Sequence, residues 1–147
     1  MKHSVKDARE DPAEPYPRDA YLSTLVKFAE GNLEIGMTLF IRGTVIAGTM
    51  ISGRKYFEEL SRQMRSASIQ GSSDPADLQD VLGRAMMDFA DMYPKAGEES
   101  EPGSPPRSFL HLRNARIFQA ANHLRSNGQL MRLRLDAVDG YFMGNIE

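Results

Sequence analysis

The chain has no cysteine. That removes disulfides, thiolate nucleophiles and cysteine metal sites, and it fits a reducing compartment. Histidine is scarce, at three residues. Long apolar runs are missing too, and no stretch approaches the roughly 20 residues of a membrane span. The opening MKHSVKDARED has no apolar core, so a secretory signal is not expected. Neither sign of charge dominates: 18 Lys and Arg stand against 20 Asp and Glu, a net charge of −2. Nothing global therefore demands nucleic acid. A cytoplasmic protein without a membrane partner is the expectation. The 147 residues suit one domain with its own core.

What is present is organised around residues 33 to 52, LEIGMTLFIRGTVIAGTMIS. Leu33, Ile35, Met37, Leu39 and Ile41 alternate with period two, which marks one face of a half-buried strand. Arg42-Gly43 breaks the run, and Gly43 can take the positive φ of a hairpin turn. The following run, Thr44 to Ser52, is rich in β-branched residues. Gly36 and Gly48 lie inside the two strands and permit the sharp bends that a small barrel requires.

Residues 1 to 18 are polar and hold Pro12, Pro15 and Pro17, the composition of a disordered tail. Asp19 is a plausible N-cap for a short helix from Ala20 to Glu30 that Gly31 ends. This helix is expected to pack on the end of the sheet. Beyond the hairpin, Tyr56, Phe57, Leu60 and Met64 predict a helix over 54–65. Asp74-Pro75 reads as the start of another, running to about Met92. Its stripe of Leu78, Val81, Leu82, Ala85, Met86, Phe89 and Met92 is expected to be the buried face. Pro94 stops it. Residues 94–107 are acidic and proline-rich, the composition of a flexible linker. Ser108 to Phe118 predicts a strand with Leu110 and Leu112 inward and a bulge at Asn114 or Ala115. Leu130 to Leu135 alternates as another strand. Asp139-Gly140 signals a turn into a last strand, Tyr141 to Ile146. All eight prolines fall outside these strands.

The reading is an α+β chain, mainly β: a small, strongly bent five-stranded barrel, Sm-like or SH3-like. It carries an N-terminal helix and a helical insertion over 54–93 between strands two and three. A single domain would span 19–147.

The chemistry-bearing residues do not converge. His3 lies in the tail and His123 in a polar loop, AANHLRSNG. His111, in Leu-His-Leu, points away from the face of its leucines and is expected to be a surface or second-face packing residue. No phosphate-cradling motif occurs. Asp136 and Asp139 suit turn bonding better than acid catalysis. No catalytic, cofactor-binding or metal-ligating residue is assigned, and no enzyme activity or cofactor is expected. Arg113, Arg116, Arg132 and Arg134 could contact phosphates or pair with the acidic helices. Tyr141 and Phe142 could stack bases, although terminal-strand aromatics more often join the core. The methionines Met64, Met86, Met87 and Met92 suit a helix core or an adaptable contact surface. Charge is uneven: residues 55–101 hold five Lys and Arg against ten Asp and Glu, whereas 102–147 hold six against three. The two halves could attract each other or a partner.

Two blocks resemble the gas vesicle accessory protein U family, GvpU. The first is LEIGMTLFIRGTVIAGTMISGRKYFEELS, residues 33 to 61. The second is FLHLRNARIF, 109 to 118, followed by RLRLDAVDGYFMGNI, 132 to 146. The resemblance implies a non-enzymatic accessory protein of gas vesicles, the gas-filled shells that give some microbes buoyancy. It implies a role in vesicle organisation and clustering, a cytoplasmic place on the vesicles, and the shell or other accessory proteins as partners. Self-association is expected, because strand edges and an apolar helix face need cover. The alternative is an Sm-like RNA-binding module. The strand order fits it, but no Asp-x-x-Asn loop precedes strand three, and AVDG stands where an Arg-Gly loop would be. Nucleic acid is therefore not the expected partner.

The linker composition makes one expectation directly testable. Replacing residues 95 to 106 with a Gly/Ser segment of equal length should leave the melting temperature nearly unchanged. A large drop in a calorimetric scan would show that the segment packs.

Overall fold

A computed structural model describes residues 19–67, 75–95, 107–119 and 122–146. In chain order the elements are α1 (Ala20–Glu30), β1 (Ile35–Ile41), β2 (Thr44–Ile51), α2 (Gly53–Ser66), α3 (Pro75–Ala90), β3 (Phe109–Gln119), β4 (Asn122–Arg134) and β5 (Gly140–Met143). A single 3₁₀ turn, Leu135–Ala137, stands between β4 and β5. The expected tail over 1–18, the Asp74 cap and most of the linker lie outside the described residues.

Local chemistry explains the first elements. The Asp19 carboxylate accepts from the backbone N–H groups of Tyr21 and Leu22, at 2.9 and 3.1 Å, and so caps α1. Gly31 follows the last helical turn, but Asn32 takes the left-handed conformation, at φ 79°. β1 and β2 form a two-residue hairpin in which Ile41 pairs with Thr44. Arg42 and Gly43, with φ of 47° and 80°, take the two positive angles that match the strand twist. Asp139 reinforces this turn from across the sheet, its carboxylate accepting the Arg42 N–H at 2.7 Å.

The five antiparallel strands are ordered β4-β3-β2-β1-β5. With three helices the fold is α+β. The sheet is not closed into a barrel, and the Sm-like or SH3-like assignment is not confirmed. β4 pairs with β3 and β5 pairs with β1, so the two lie at opposite edges. Glycines inside strands allow bending; they do not supply the pairing that closure needs. Asp139-Gly140 is correspondingly not a hairpin turn between β4 and β5. The 3₁₀ turn leads the chain to the far edge, where Gly140 pairs with Phe40.

Both sheet faces are covered. On one, Met37, Leu39, Ile46, Met50, Leu110 and Leu112 join Leu22, Leu25, Val26 and Ala29 of α1 in a single core. Leu33, expected to continue this stripe, is 54% exposed, because β1 begins only at Ile35. On the other face, Thr38, Ala47, Ile51 and His111 are almost fully buried. α2 covers one end of it with Tyr56 and Phe57. The C-terminal residues bond to it further along: Thr38 Oγ1 donates to the Gly144 carbonyl at 2.8 Å, and Gly144 N–H donates to the Gly36 carbonyl at 2.7 Å.

Three further expectations meet a different outcome. β4 starts at Asn122, so His123 belongs to a strand rather than a loop. Backbone pairing across β3 extends a strand that side-chain alternation shows only from Leu130. The insertion does hold two helices, but α3 does not bury the large apolar stripe assigned to it. Val81 and Met92 are 59% and 71% exposed, while Gly83 and Ala90 are buried. Ser61 of α2 donates to the Gly83 carbonyl at 2.7 Å, and small side chains permit that close approach.

The expected bulge in β3 is present, and it explains Gly48. Ala47 pairs with Arg116 but Thr49 with Arg113, so β3 holds one residue more than β2 between these rungs. Asn114 absorbs it at φ 53°. The bulge brings β3 backbone onto Gly48: a Cβ there would lie 3.1 Å from the Arg113 carbonyl oxygen and 3.2 Å from Ala115 Cα. Gly48→Val should therefore cost about 1–3 kcal/mol, read as a lower urea midpoint. An unchanged midpoint would show that the bulge yields without loss.

Candidate functional site

The polar and aromatic residues of interest gather where α2 and α3 meet the second face of the sheet. β3 places His111 opposite Ile51, on the far side from Leu110 and Leu112. α2 starts directly after β2, with Ser52 Oγ accepting from the Lys55 N–H at 3.1 Å as its N-cap. Its first turn therefore lies over Ile51 and His111. Tyr56 and Phe57 come down on the imidazole, at ring-centre distances of 4.7 and 5.9 Å. Tyr93, just past α3, meets it edge-on at 5.6 Å. Phe89 stacks on Phe57 at 5.3 Å. Two guanidinium groups close the nest: Arg132 lies over Phe109 at 3.9 Å and over Phe57 at 5.4 Å, and Arg107 over Tyr93 at 4.5 Å.

His111 is 1% exposed, and neither ring nitrogen has a hydrogen-bond partner. Burial, aided by the positive charges of Arg132 and Arg107, pushes its pKa down to about 3. The imidazole is neutral at physiological pH and serves as an aromatic packing group. This is the second-face role its Leu-His-Leu setting predicts.

A second feature joins α1 to α2. Glu30 ends α1 and is 8% exposed. Its Oε1 accepts from the Gly53 N–H at 3.0 Å, at the positive end of α2, while Oε2 is buried without a partner. Burial pushes this carboxyl up from its ordinary range, against the Gly53 hydrogen bond and the Arg107 charge. Beside it runs a groove of about 130 Å³ lined by Ser52, Arg54, Lys55 and Glu58. The charged groups of that wall are paired: Arg54 with Glu58 and Asp91 at 3.0 and 3.2 Å, and Lys55 with Glu34 at 3.1 Å.

The arginines of the last strands are likewise engaged within the chain. Arg113 reaches Glu34 at 2.6 Å and Glu59 of α2 at 3.2 Å. These hydrogen bonds, with Arg113 first and Lys55 second, hold Glu34 below the usual carboxylate range. Arg134 pairs with Asp136 at 3.1 Å, and Arg116 donates to the Ile146 carbonyl at 3.4 Å. Of the two readings open for these residues, pairing with acidic groups is the one Arg113 realises. Tyr141 stacks on Tyr21 and donates to Asp19 at 2.8 Å, and Phe142 lies against Phe40. Partial burial and that bond raise the Tyr141 phenol to about 12.

Sequence reasoning missed Glu30, Tyr93 and the outward side of α3. Glu30 gives no signal of its own, because a charged residue at a helix end is ordinarily solvated. The signal for α3 was present: an apolar arc too wide for one neighbouring helix. Among the described residues, no group of three His, Asp or Glu is placed to hold a metal ion. No helix among them is long and apolar enough to cross a membrane.

The chain matches the family described as gas vesicle protein GvpU-like over residues 19–146. No curated protein and no solved structure gives a significant match.

The buried imidazole has a measurable consequence. The unfolded chain takes up a proton at His111 near the ordinary value of 6.5, whereas the folded chain resists it down to about 3. The unfolded state therefore binds more protons between these values, and stability falls as pH drops through that window. The contribution reaches about 2 kcal/mol by pH 5. His111→Leu removes the titrating group, so the gap in stability between the variant and the natural chain should widen in the variant's favour from pH 7 to pH 4. Parallel urea titrations at each pH would show it; a pH-independent gap would mean that the imidazole becomes solvated when protonated.

Proposed function

The chain belongs to the GvpU-like family of gas vesicle proteins, and from that premise we propose that it organises gas vesicles by protein–protein contact. The family match over residues 19–146 is the observation that carries this reading. In it, the protein resides in the cytoplasm on the vesicles, contacts the shell or another accessory protein, and clusters vesicles through self-association. It acts without catalysis. Residues 19–147 work as one unit, and the α2–α3 pair presents the contact surface.

Three features support this reading. The aromatic nest and the ion pairs of Arg113 tie α2 firmly to the sheet, so the helical pair is a rigid display. Large apolar side chains remain in solvent on α3 and around β5, where Phe142 and Met143 are 44% and 55% exposed. The outer edges of β4 and β5 carry no partner strand among the described residues, and free edges favour association between copies. The arginines an RNA-binding module would offer to phosphates are already held by carboxylates, carbonyls and aromatic rings.

Flotation with purified gas vesicles tests the reading. The protein should rise with the vesicles, and light scattering should report larger vesicle assemblies in its presence. Recovery of the protein only in the subnatant, with vesicles still dispersed, would refute a vesicle role.

A further inference from the structure

α3 turns Gly83 and Ala90 inward, and leaves Leu78, Val81 and Phe89 in part or largely exposed. Gly83 and Ala90, seven positions apart, make the close contact with α2. Leu78, Val81, Phe89 and Met92 are 37%, 59%, 46% and 71% exposed. At 100° per residue Leu78, Val81 and Phe89 fall within one arc of about 80° that also holds Ala85, with Leu82 at its border and Met92 in the turn just past the helix. Phe89 spends one side of its ring on Phe57 and leaves the other in solvent. An apolar stripe of about three turns on a solvent-facing helix is the signature of a helix that a partner covers.

The border of the stripe says which partner. Asp77 and Asp88, three turns apart, lie on one line along its edge, next to Val81. Further around stand Asp80, shared by Arg65 and Arg84, and Asp91, paired with Arg54. Three arginines, Arg54, Arg65 and Arg84, meet Asp80 and Asp91, and Asp77 and Asp88 are the two aspartates that border the stripe. We propose that the outward face of α3 is a docking site for an amphipathic helix whose apolar stripe is bordered by lysine or arginine. The apolar stripe supplies the buried area, and the aspartate row sets partner choice and register. Two other occupants fit less well. Residues 96–106 carry Glu98, Glu99 and Glu101 and no basic residue, so they meet like charge. A second copy packed antiparallel through α3 would set the two aspartate rows side by side.

This inference rests on the reading of the α2–α3 pair as the contact surface, but it has a readout independent of vesicles. The probe is a synthetic Leu/Lys amphipathic helix of about 18 residues, with a Leu/Glu peptide of the same pattern as its counterpart. Binding is followed by fluorescence anisotropy on the full chain. The intact protein should prefer the Leu/Lys peptide. Leu78→Ser, Val81→Ser and Met92→Ser together should weaken it about tenfold or more, with only a small fall in melting temperature, since Val81 and Met92 are largely exposed and Leu78 partly so. Asp77→Asn with Asp88→Asn should weaken it by about two- to fivefold. Equal affinity for both peptides, or a triple variant that binds as well as the natural chain, would overturn the proposal. So would a triple variant that turns a self-associated protein into a monomer in sedimentation, since the occupant would then be a second copy. If the Leu/Lys peptide binds as expected but the protein does not float with vesicles, the docking face stands and the vesicle reading fails.

Discussion

The middle of the β1–β2 hairpin is out of water on both faces, and the rest of the chain is arranged to keep it so. Met37, Leu39 and Met50 on one face and Thr38, Ala47 and Ile51 on the other are at most 1% exposed. A half-buried hairpin needs one covering layer, whereas this one needs two. α1 supplies the first with a single apolar stripe. The second is divided between α2, at the end holding Ile51 and His111, and the C-terminal residues beyond β5. Gly144, at φ 114°, lets the chain turn there so that its carbonyl meets the Thr38 hydroxyl. Thr38 is a polar group inside the sheet, and this bond satisfies it.

The two-sided burial makes the connections between layers polar as well as apolar. Glu30 reaches from the end of α1 to the first N–H of α2 and so joins the two covering layers. Glu34 and Glu59 converge on Arg113 from the approach to β1 and from α2. Each of these bonds crosses at least twenty residues of sequence, and those from Glu30 and Glu59 tie α2 to its neighbours. α3 is held differently. It meets α2 through Gly83, Ala90, a serine-to-carbonyl hydrogen bond and the Arg65–Asp80 and Arg54–Asp91 ion pairs, and it adds Phe89 to the edge of the aromatic nest. Val81 and Met92 lie off this contact and are left mostly in solvent.

The same arrangement separates structural chemistry from contact chemistry. His111, on the second sheet face, is sealed beneath rings and guanidinium groups. Arg113, Arg116, Arg132 and Arg134 are engaged with carboxylates, a carbonyl and rings. Among the described residues, surfaces open to a partner include the outer side of α3, the edges of the sheet and the aromatic pair Phe40–Phe142. A gas vesicle protein that acts by contact would need surfaces of this kind, held by a scaffold that does not deform on binding.

Local chemistry settled the elements wherever a pattern is paid for within a few residues. The Asp19 cap, the Arg42-Gly43 turn, the alternation of β1 and the inward leucines of β3 all act over such distances, and all were legible. The bulge at Asn114 was legible because alternation shifts there. Resemblance in two blocks was enough to point to the family. Tertiary structure decided the rest. Which edge β5 joins depends on where the 3₁₀ turn sends the chain, and no residue of GYFM encodes that. The start of β4 depends on backbone pairing with β3, to which side-chain pattern is blind. Which side of α3 is buried was decided by how closely α2 approaches: at that distance Gly83 and Ala90 fit and Leu78, Val81 and Met92 do not. An apolar stripe reports what a helix prefers to bury, and only its neighbours determine whether it does so within the chain.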